Sequence, residues 1–233
     1  MPVALITGAS RGLGAAIGAR LAGHGWDLVV DARDGEALTG TVARWGGTGV
    51  SVTPGDVADP DHREELARAV RRLGRLDLLV NNASLLGPSP QPPLDRYPLD
   101  VLERVYRVNV FAPLALTQLL LPELKIGGGI VVNITSDASV EPYAGWGGYG
   151  SSKAALDQLT AILGAEQPSF GVYAFDPGDM RTQMQQEAFP GEDISDRPEA
   201  ETVVPAFLRL IEDRPPSGRY KTSDFAVTTG RRS

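Results

Sequence analysis

Tyr149 and Lys153 stand four residues apart in a stretch of helical apolar spacing, so on a helix they share one face. A free tyrosine loses its proton near pH 10 and is a poor base at neutrality. A neighbouring ammonium favours the phenolate and lowers that value. A drop of about three units corresponds to roughly 4 kcal/mol and needs more positive charge than Lys153 alone. Such a pair could move a proton; the plain alternative is an amphipathic surface pair. Ser136 lies just past an apolar run, where its hydroxyl could donate to a carbonyl oxygen. Thr135 is its adjacent competitor, and a serine capping a loop turn is the ordinary reading.

A second group of residues could hold phosphate. Thr7 to Gly14 reads Thr-Gly-Ala-Ser-Arg-Gly-Leu-Gly between an apolar run and a helical one. Gly8, Gly12 and Gly14 would let the backbone turn tightly and approach a pyrophosphate. The helix start would offer unpaired N–H groups and a positive dipole. The spacing is Gly-x3-Gly-x-Gly, and a glycine-rich turn without a ligand has the same composition. Asn109 precedes Pro113 by four residues. Proline has no N–H, so the carbonyl of residue 109 loses its usual helical donor and could hold water. A simple proline kink is the alternative.

Composition removes several other chemistries. The 233 residues contain no cysteine, which excludes disulfides, thiolate metal sites and a cysteine nucleophile. The two histidines, His24 and His62, leave little for His-rich metal sites or a Ser-His-Asp triad, and no metal is expected. His24 ends a predicted helix and His62 sits in a charged first turn, so both are read as capping or exposed. The net charge of -7 disfavours nucleic acid and anionic membrane surfaces. No run in the sequence reaches the roughly 20 apolar residues of a membrane span. The first residues lack the basic start and cleavage site of a signal peptide. A cytoplasmic location is therefore expected.

Strand-like and helix-like segments alternate along the chain. Short apolar runs predict strands at Val3–Thr7, Asp27–Asp31, Val50–Val52, Leu76–Val80, Ile130–Ile134 and Val172–Phe175, with a last strand within Arg219–Val227. Helical spacing predicts helices over Leu13–Ala22, Gly35–Trp45, Asp61–Leu73, Leu99–Leu124, Tyr149–Gly164 and Thr202–Ile211. In the third of these, Leu66, Ala69, Val70 and Leu73 form the expected core stripe. Gly87–Pro98 and Gln183–Pro198 read as loops. Trp26, Trp45 and Phe207 read as core, and Arg71-Arg72 and Arg231-Arg232 as solvated surface. The alternation predicts one α/β domain over residues 1–233, a doubly wound, seven-stranded, mostly parallel sheet.

With these motifs in this order, the chain resembles the short-chain dehydrogenases/reductases over nearly its whole length. Thr7–Gly14 matches the family's glycine motif, and Asn81-Asn82-Ala83 follows the fourth strand as in the family. Tyr149-x3-Lys153 matches the family's Tyr-x3-Lys, and Ser136 stands 13 residues earlier, as it does there. Asp176-Pro177-Gly178, with Thr182 beyond, matches the segment that meets the nicotinamide. Ser84 departs from the family, which usually has glycine there. The segment from Tyr149 to Pro177 is about two residues short, and the usual Asp-Gly-Gly ending is missing.

The resemblance implies an NADP-dependent oxidoreductase interconverting a ketone or aldehyde and an alcohol. Tyr149 would exchange the substrate proton, helped by Ser136, by Lys153 on the nicotinamide ribose, and by an Asn109-anchored water. The oxidised cofactor's ring would add the further positive charge that the phenol needs. Gly8, Ser10, Arg11, Gly12, Leu13, Gly14, Asn82, Ala83, Pro177, Gly178 and Thr182 would line the cofactor, and Asp56 and Val57 would meet the adenine. The acid that selects NAD falls at Ala32, one residue from Asp31, and strand side chains alternate faces. Arg33 and Arg11 occupy the positions that bind the 2′-phosphate of NADP, so NADPH is expected over NAD. Pairing of Arg33 with Asp31 or Asp34 would oppose this. Leu85, Leu86, Tyr143, Trp146, Met184 and Phe189 suggest a partly apolar small substrate. Similar proteins are homodimers or homotetramers through their long helices.

One rival is a non-catalytic dinucleotide-binding regulator, although such relatives usually lose the tyrosine or lysine. Another is an extended sugar-nucleotide epimerase or dehydratase. About 55 residues follow Pro177, too few for the larger substrate domain of those enzymes.

Overall fold

The apolar runs form the strands of a single sheet in the computed structural model, which describes residues 1–46 and 49–225. The strands are β1 (Val3–Ile6), β2 (Asp27–Val30), β3 (Val50–Val52), β4 (Leu78–Asn81), β5 (Ile130–Ile134), β6 (Gly171–Asp176) and β7 (Gly218–Lys221). Their order is β3-β2-β1-β4-β5-β6-β7, and all six pairings are parallel. The expected mostly parallel sheet is thus fully parallel. The order reverses between β1 and β4, and the carboxyl ends of these strands open the crevice where ligands of such sheets bind.

Both faces of the sheet are covered, as unbroken apolar strands require. On one face Ala4 and Ile6 of β1 pack with Leu13, Ile17 and Leu21 of α1 (Gly12–Gly23) and Phe207 of α8 (Val204–Asp213). On the other, Val3 and Leu5 pack with Leu66 and Val70 of α3 (Pro60–Leu73) and Leu120 of α5 (Ala112–Gly127). Leu73, expected in the α3 stripe, is exposed instead, because it lies in the last turn before the left-handed Gly74 cap. Trp26 and Trp45 pack against the first face. Arg71 lies on the surface beside Glu64 and Glu123. The remaining helices are α2 (Gly35–Val42), α4 (Leu99–Tyr106), α6 (Gly147–Glu166) and α7 (Gln183–Ala188). Helix α7 occupies the start of the stretch expected as loop; Thr182 caps it by accepting from the Gln185 N–H. The last strand ends at Lys221 and a short 3-10 turn follows, while Val227 and Arg231-Arg232 lie outside the described residues.

Residues Leu99–Gly127 run as one helix with a π turn at Arg107–Phe111, just before Pro113. This helix is long and apolar enough to cross a membrane, which no single apolar run in the sequence suggested. Its Leu116, Leu120 and Leu124 are buried against the sheet, as in the core helix of a globular domain.

Candidate active site

The glycine turn is locked in place by the loop after β4. Asn82 Nδ2 donates to the carbonyls of Thr7 and Gly8 at 2.9 and 3.0 Å. Thr7 Oγ1 accepts from the backbone N–H groups of Asn82 and Ala83. Gly8 has a φ of 67°, and a Cβ there would lie 2.9 Å from Ala83 Cα. A Cβ at Gly14 would lie 2.5 Å from both Asn82 Nδ2 and the Gly8 carbonyl oxygen. These glycines are therefore needed for packing. Helix α1 starts here at Gly12, and among the described residues no side chain caps it. Its first N–H groups and dipole thus face the crevice.

Asp31 closes the turn from below. Its Oδ1 accepts from Gly8 N at 2.8 Å, and its Oδ2 meets His62 Nε2 at 3.1 Å. Asp31 and His62 are both buried, so His62 is neither the cap nor the exposed residue expected. The expectation failed because Asp31, 31 residues away in sequence, supplies a buried partner that the local helix pattern does not reveal. Burial disfavours the charged imidazole, but Asp31, Glu65 and Asp59 outweigh it and hold His62 above the usual histidine value. Burial pushes Asp31 above the usual carboxylate value, against the pull of His62 and Gly8. His24 matches its expected role, its Nδ1 bonding the Arg20 carbonyl at the end of α1.

Arg33 lies past β2, exposed, with the buried Ala32 before it. The pairing that would have diverted Arg33 is not formed among the described residues. Asp31 is engaged as above, and Asp34 caps α2 through the Ala37 N–H. Arg11 reaches across to Gln183 Oε1 of α7. Asp56 accepts from Ala58 N in a local turn, and Val57 beside it is buried.

At the other end of the crevice the side chains are buried. Tyr149 and Lys153 share the inner face of α6, with exposures of 8% and 2%. Lys153 Nζ donates to the Ile134 carbonyl at 2.7 Å and lies 5.4 Å from the Tyr149 ring centroid. Burial lowers Lys153 to about 8, with Asp157 opposing. Burial also drives Tyr149 well above the usual tyrosine value; Ser84 and Ser136 hydroxyls pull it down, while Asp176 and Asp137 push it further up. The depression expected from Lys153 is therefore not produced by the protein's own groups. The ammonium is spent on a carbonyl and faces the ring.

Ser136 ends the loop after β5. Its hydroxyl donates to Asp137 Oδ1 at 2.9 Å and accepts from Ala138 N, so it also caps a short turn. Tyr143 donates to the other Asp137 oxygen. Asn109 sits in the π turn, fully buried one layer behind the crevice. Its Oδ1 accepts from Leu85 N and Ser84 Oγ; its Nδ2 donates to the Leu85 carbonyl and Ser152 Oγ. On the far side, Arg219 of β7 donates to Asp157, Asp176 and the Ser136 carbonyl at 2.8–3.1 Å. Sequence spacing gave no sign of this brace, because its partners come from three separate elements.

One cavity of about 970 Å³ joins both ends. Gly8, Ser10, Arg11, Gly12, Leu13 and Arg33 line it at the glycine turn and β2. Asp56, Val57, Asn82 and Ala83 line its middle. Ser136, Tyr149, Lys153, Pro177, Gly178 and Thr182 line the other end. Gly14 and Asn109 do not reach it; Gly14 packs against Gly8 and Asn82, and Asn109 bonds Leu85, all of which line it. All six side chains expected around the substrate are on its wall.

Residues 2–193 match the short chain dehydrogenase family. The chain belongs to that family of oxidoreductases. It is 34% identical over 197 residues to sepiapterin reductase of Bos taurus, covering 78% of this chain and 74% of that one. It is 35% identical over 194 residues to benzil reductase ((S)-benzoin forming) of Saccharomyces cerevisiae, covering 79% and 74%. Among solved structures it is similar to a short chain dehydrogenase from Pseudomonas syringae, with a TM-score of 0.89 and 31% identity over 94% and 93% of the two chains. It is equally similar in fold to one from Shigella flexneri complexed with NADP, with a TM-score of 0.89 and 29% identity over 95% and 97%.

Proposed function

We propose that this short-chain dehydrogenase uses NADP(H) to interconvert a ketone or aldehyde and an alcohol, with Tyr149 as the acid/base. The observation that carries this reading is the single cavity with Arg11 and Arg33 at one end and Ser136, Tyr149 and Lys153 at the other. The cradle fits a dinucleotide: side chains at Gly8 or Gly14 would collide with the backbone, and the α1 N-terminus is open toward the crevice. The two arginines suit a 2′-phosphate, and a similar protein is complexed with NADP. When bound, the cofactor supplies the hydride and, once oxidised, a cationic ring beside the phenol.

The chain's own residues then orient and protonate. Ser136 holds the carbonyl oxygen, and Tyr149 gives that oxygen its proton as the carbon receives hydride. Lys153 holds the ribose side of the cofactor and neighbours the phenol. Asn109 fixes the loop of Ser84 and Leu85 and anchors a water that returns protons toward Lys153. Leu85, Leu86, Trp146, Met184 and Phe189 favour a partly apolar substrate, which accords with the reductase names of two relatives. A homodimer or homotetramer is supported by the exposed Leu99, Phe111, Ile126 and Ile162 on the long helices. NADPH oxidation with a panel of ketones, quinones, sugars and acyl thioesters tests the reading. Turnover that vanishes in Tyr149→Phe supports it; cofactor binding without turnover of any carbonyl would favour a regulatory dinucleotide binder.

A further inference from the structure

A buried acid stands where a cofactor phosphate would approach. Asp31 lines the cavity beside Ala32 and Arg33, at the end where Asp34 and Asp56 also stand. These three acids face two arginines, Arg11 and Arg33, so their sum at this end is negative. Asp34 and Asp56 reach water, which screens them, whereas Asp31 is only 1% exposed. Asp31 Oδ1 accepts from Gly8 N at 2.8 Å, which fixes the carboxylate under the glycine turn. The balancing charge comes from α3: His62 Nε2 lies 3.1 Å from Asp31 Oδ2, and both side chains are buried. Among the described residues no lysine or arginine forms an ion pair with Asp31. The other charged groups around the ring favour its cationic form. Glu65 Oε2 lies 3.8 Å from His62 Nδ1, and Asp59 caps the start of the same helix. From the loop after β3, Gly55 packs on the ring, where a Cβ would collide with it, and Asp56 next to it acts on Asp31.

We propose that His62 is a specificity-determining residue, the counter-charge that lets an NADP site keep an acid at the end of β2. The inference rests on the reading of Arg11 and Arg33 as holders of the 2′-phosphate. With His62 charged, Asp31 is neutralised and the two arginines are free to attract that phosphate. With His62 neutral, the buried carboxylate is left to repel it, and little water lies between to screen the repulsion. NADH lacks the phosphate and is spared. The affinity for NADPH is therefore full while His62 is charged and falls as pH rises through its folded midpoint. That midpoint lies above the ordinary histidine value, because Asp31, Glu65 and Asp59 outweigh burial. Linkage is reciprocal, so bound NADPH raises the midpoint in turn.

Direct binding tests the role without turnover. Dissociation constants for NADPH and NADH are measured on the full-length protein by nicotinamide fluorescence between about pH 6.5 and 9.5, a window above the phosphate's own titration near 6. Across it the preference for NADPH should shrink by about fivefold. Lys153, lowered by burial to about 8, titrates in the same window, but it sits at the other end of the cavity and cancels in the ratio of the two cofactors. His62→Gln keeps a donor without the charge. It should show the reduced preference already at pH 6.5 and no further change with pH. Adding Asp31→Asn to it, which keeps an oxygen for Gly8 N, should restore NADPH binding; a merely structural role would not be rescued this way. The wild type needs no substitution for the last arm. The protein has only two histidines, so the His62 ring can be followed by NMR, and its midpoint should rise on adding NADPH and stay put on adding NADH. A preference for NADPH that is constant with pH and unaltered in His62→Gln would overturn the role of His62 and leave the NADP reading standing. A preference for NADH at every pH would overturn the NADP reading, and the proposal with it.

Discussion

The two ends of the cavity are made of different material. At the glycine turn the wall is main chain: a bend that excludes Cβ atoms, amides at the start of α1, and an asparagine tying two carbonyls together. Its long charged side chains are Arg11, which donates to Gln183 of α7, and Arg33, which is exposed. At the far end the wall is side chain, with Tyr149 and Lys153 buried on α6 and their ionisation shifted toward the neutral forms by that burial. A site built from backbone binds whatever has the right shape and charge. A site built from buried titratable groups can do chemistry, because desolvation makes each proton's position depend on its few neighbours. The contrast predicts that damage at one end should spare the property controlled by the other.

The largest effect is expected at the side-chain end. Tyr149→Phe should fold and bind NADPH normally yet lose turnover by about 10²-fold or more, the scale of a removed acid/base. If kcat stays above roughly a tenth of the wild-type value, Tyr149 is not the proton donor.

Next comes the backbone end. In Gly14→Ala the new Cβ would lie 2.5 Å from the Gly8 oxygen and Asn82 Nδ2, so the cradle must open. Overpacking of this kind costs about 1–3 kcal/mol, visible as a lower melting temperature, and should weaken NADPH binding in a fluorescence titration. A variant that melts and binds like the wild type would mean that the loop after β4 moves freely and the lock described above is absent.

A third test concerns the arginine tips. NADPH should be preferred over NADH by at least about tenfold in kcat/KM, the screened remainder of two charge-assisted bonds. The Arg11→Ala, Arg33→Ala double variant should lose that preference and leave kcat with NADH unchanged. Equal use of both cofactors by the wild type would return the ribose to another residue of β2.

The smallest effect lies beneath the glycine turn. His62 titrates above its ordinary value in the folded chain. Its contribution to stability is therefore fully present below the unfolded value of about 6.5 and is lost as pH rises through the folded value. Asp31, also raised, acts in the same direction at its own titration. Urea unfolding between pH 6 and 9 should show the wild type losing on the order of 1 kcal/mol relative to His62→Gln. A wild-type curve parallel to that of the variant would show that the pair does not titrate with folding.

The same contrast explains what could be read from the sequence. The strands were legible because buried parallel strands are short apolar runs, and the glycine turn because only glycine fits where Gly8 and Gly14 sit. The i, i+4 spacing put Tyr149 and Lys153 on one helix face, and the family's 13-residue spacing favoured Ser136 over Thr135; all three line the cavity. Besides the Arg219 brace and helix α7, three features escaped. Leu73 continues an apolar stripe on paper, but the left-handed turn at Gly74 ends the helix before the stripe can dock. His62 looked like a surface residue because its partner lies on another strand. The raised Tyr149 value depends on burial and on Asp137 and Asp176, a balance that no local pattern contains.

Arg219 has a consequence for the order in which the protein is made. Its guanidinium joins the Ser136 carbonyl, Asp157 of α6 and Asp176 of β6, yet it lies on β7, after all the other strands. Chains emerge from the ribosome starting with their N-terminal residues, and a domain generally folds as a unit. The hydrogen bonds that lock the glycine turn are all drawn from residues up to Ala83. The proton-handling end still lacks its cross-tie until residue 219 arrives. The far end of the cavity is thus tied together only when the strand that carries Arg219 has been made.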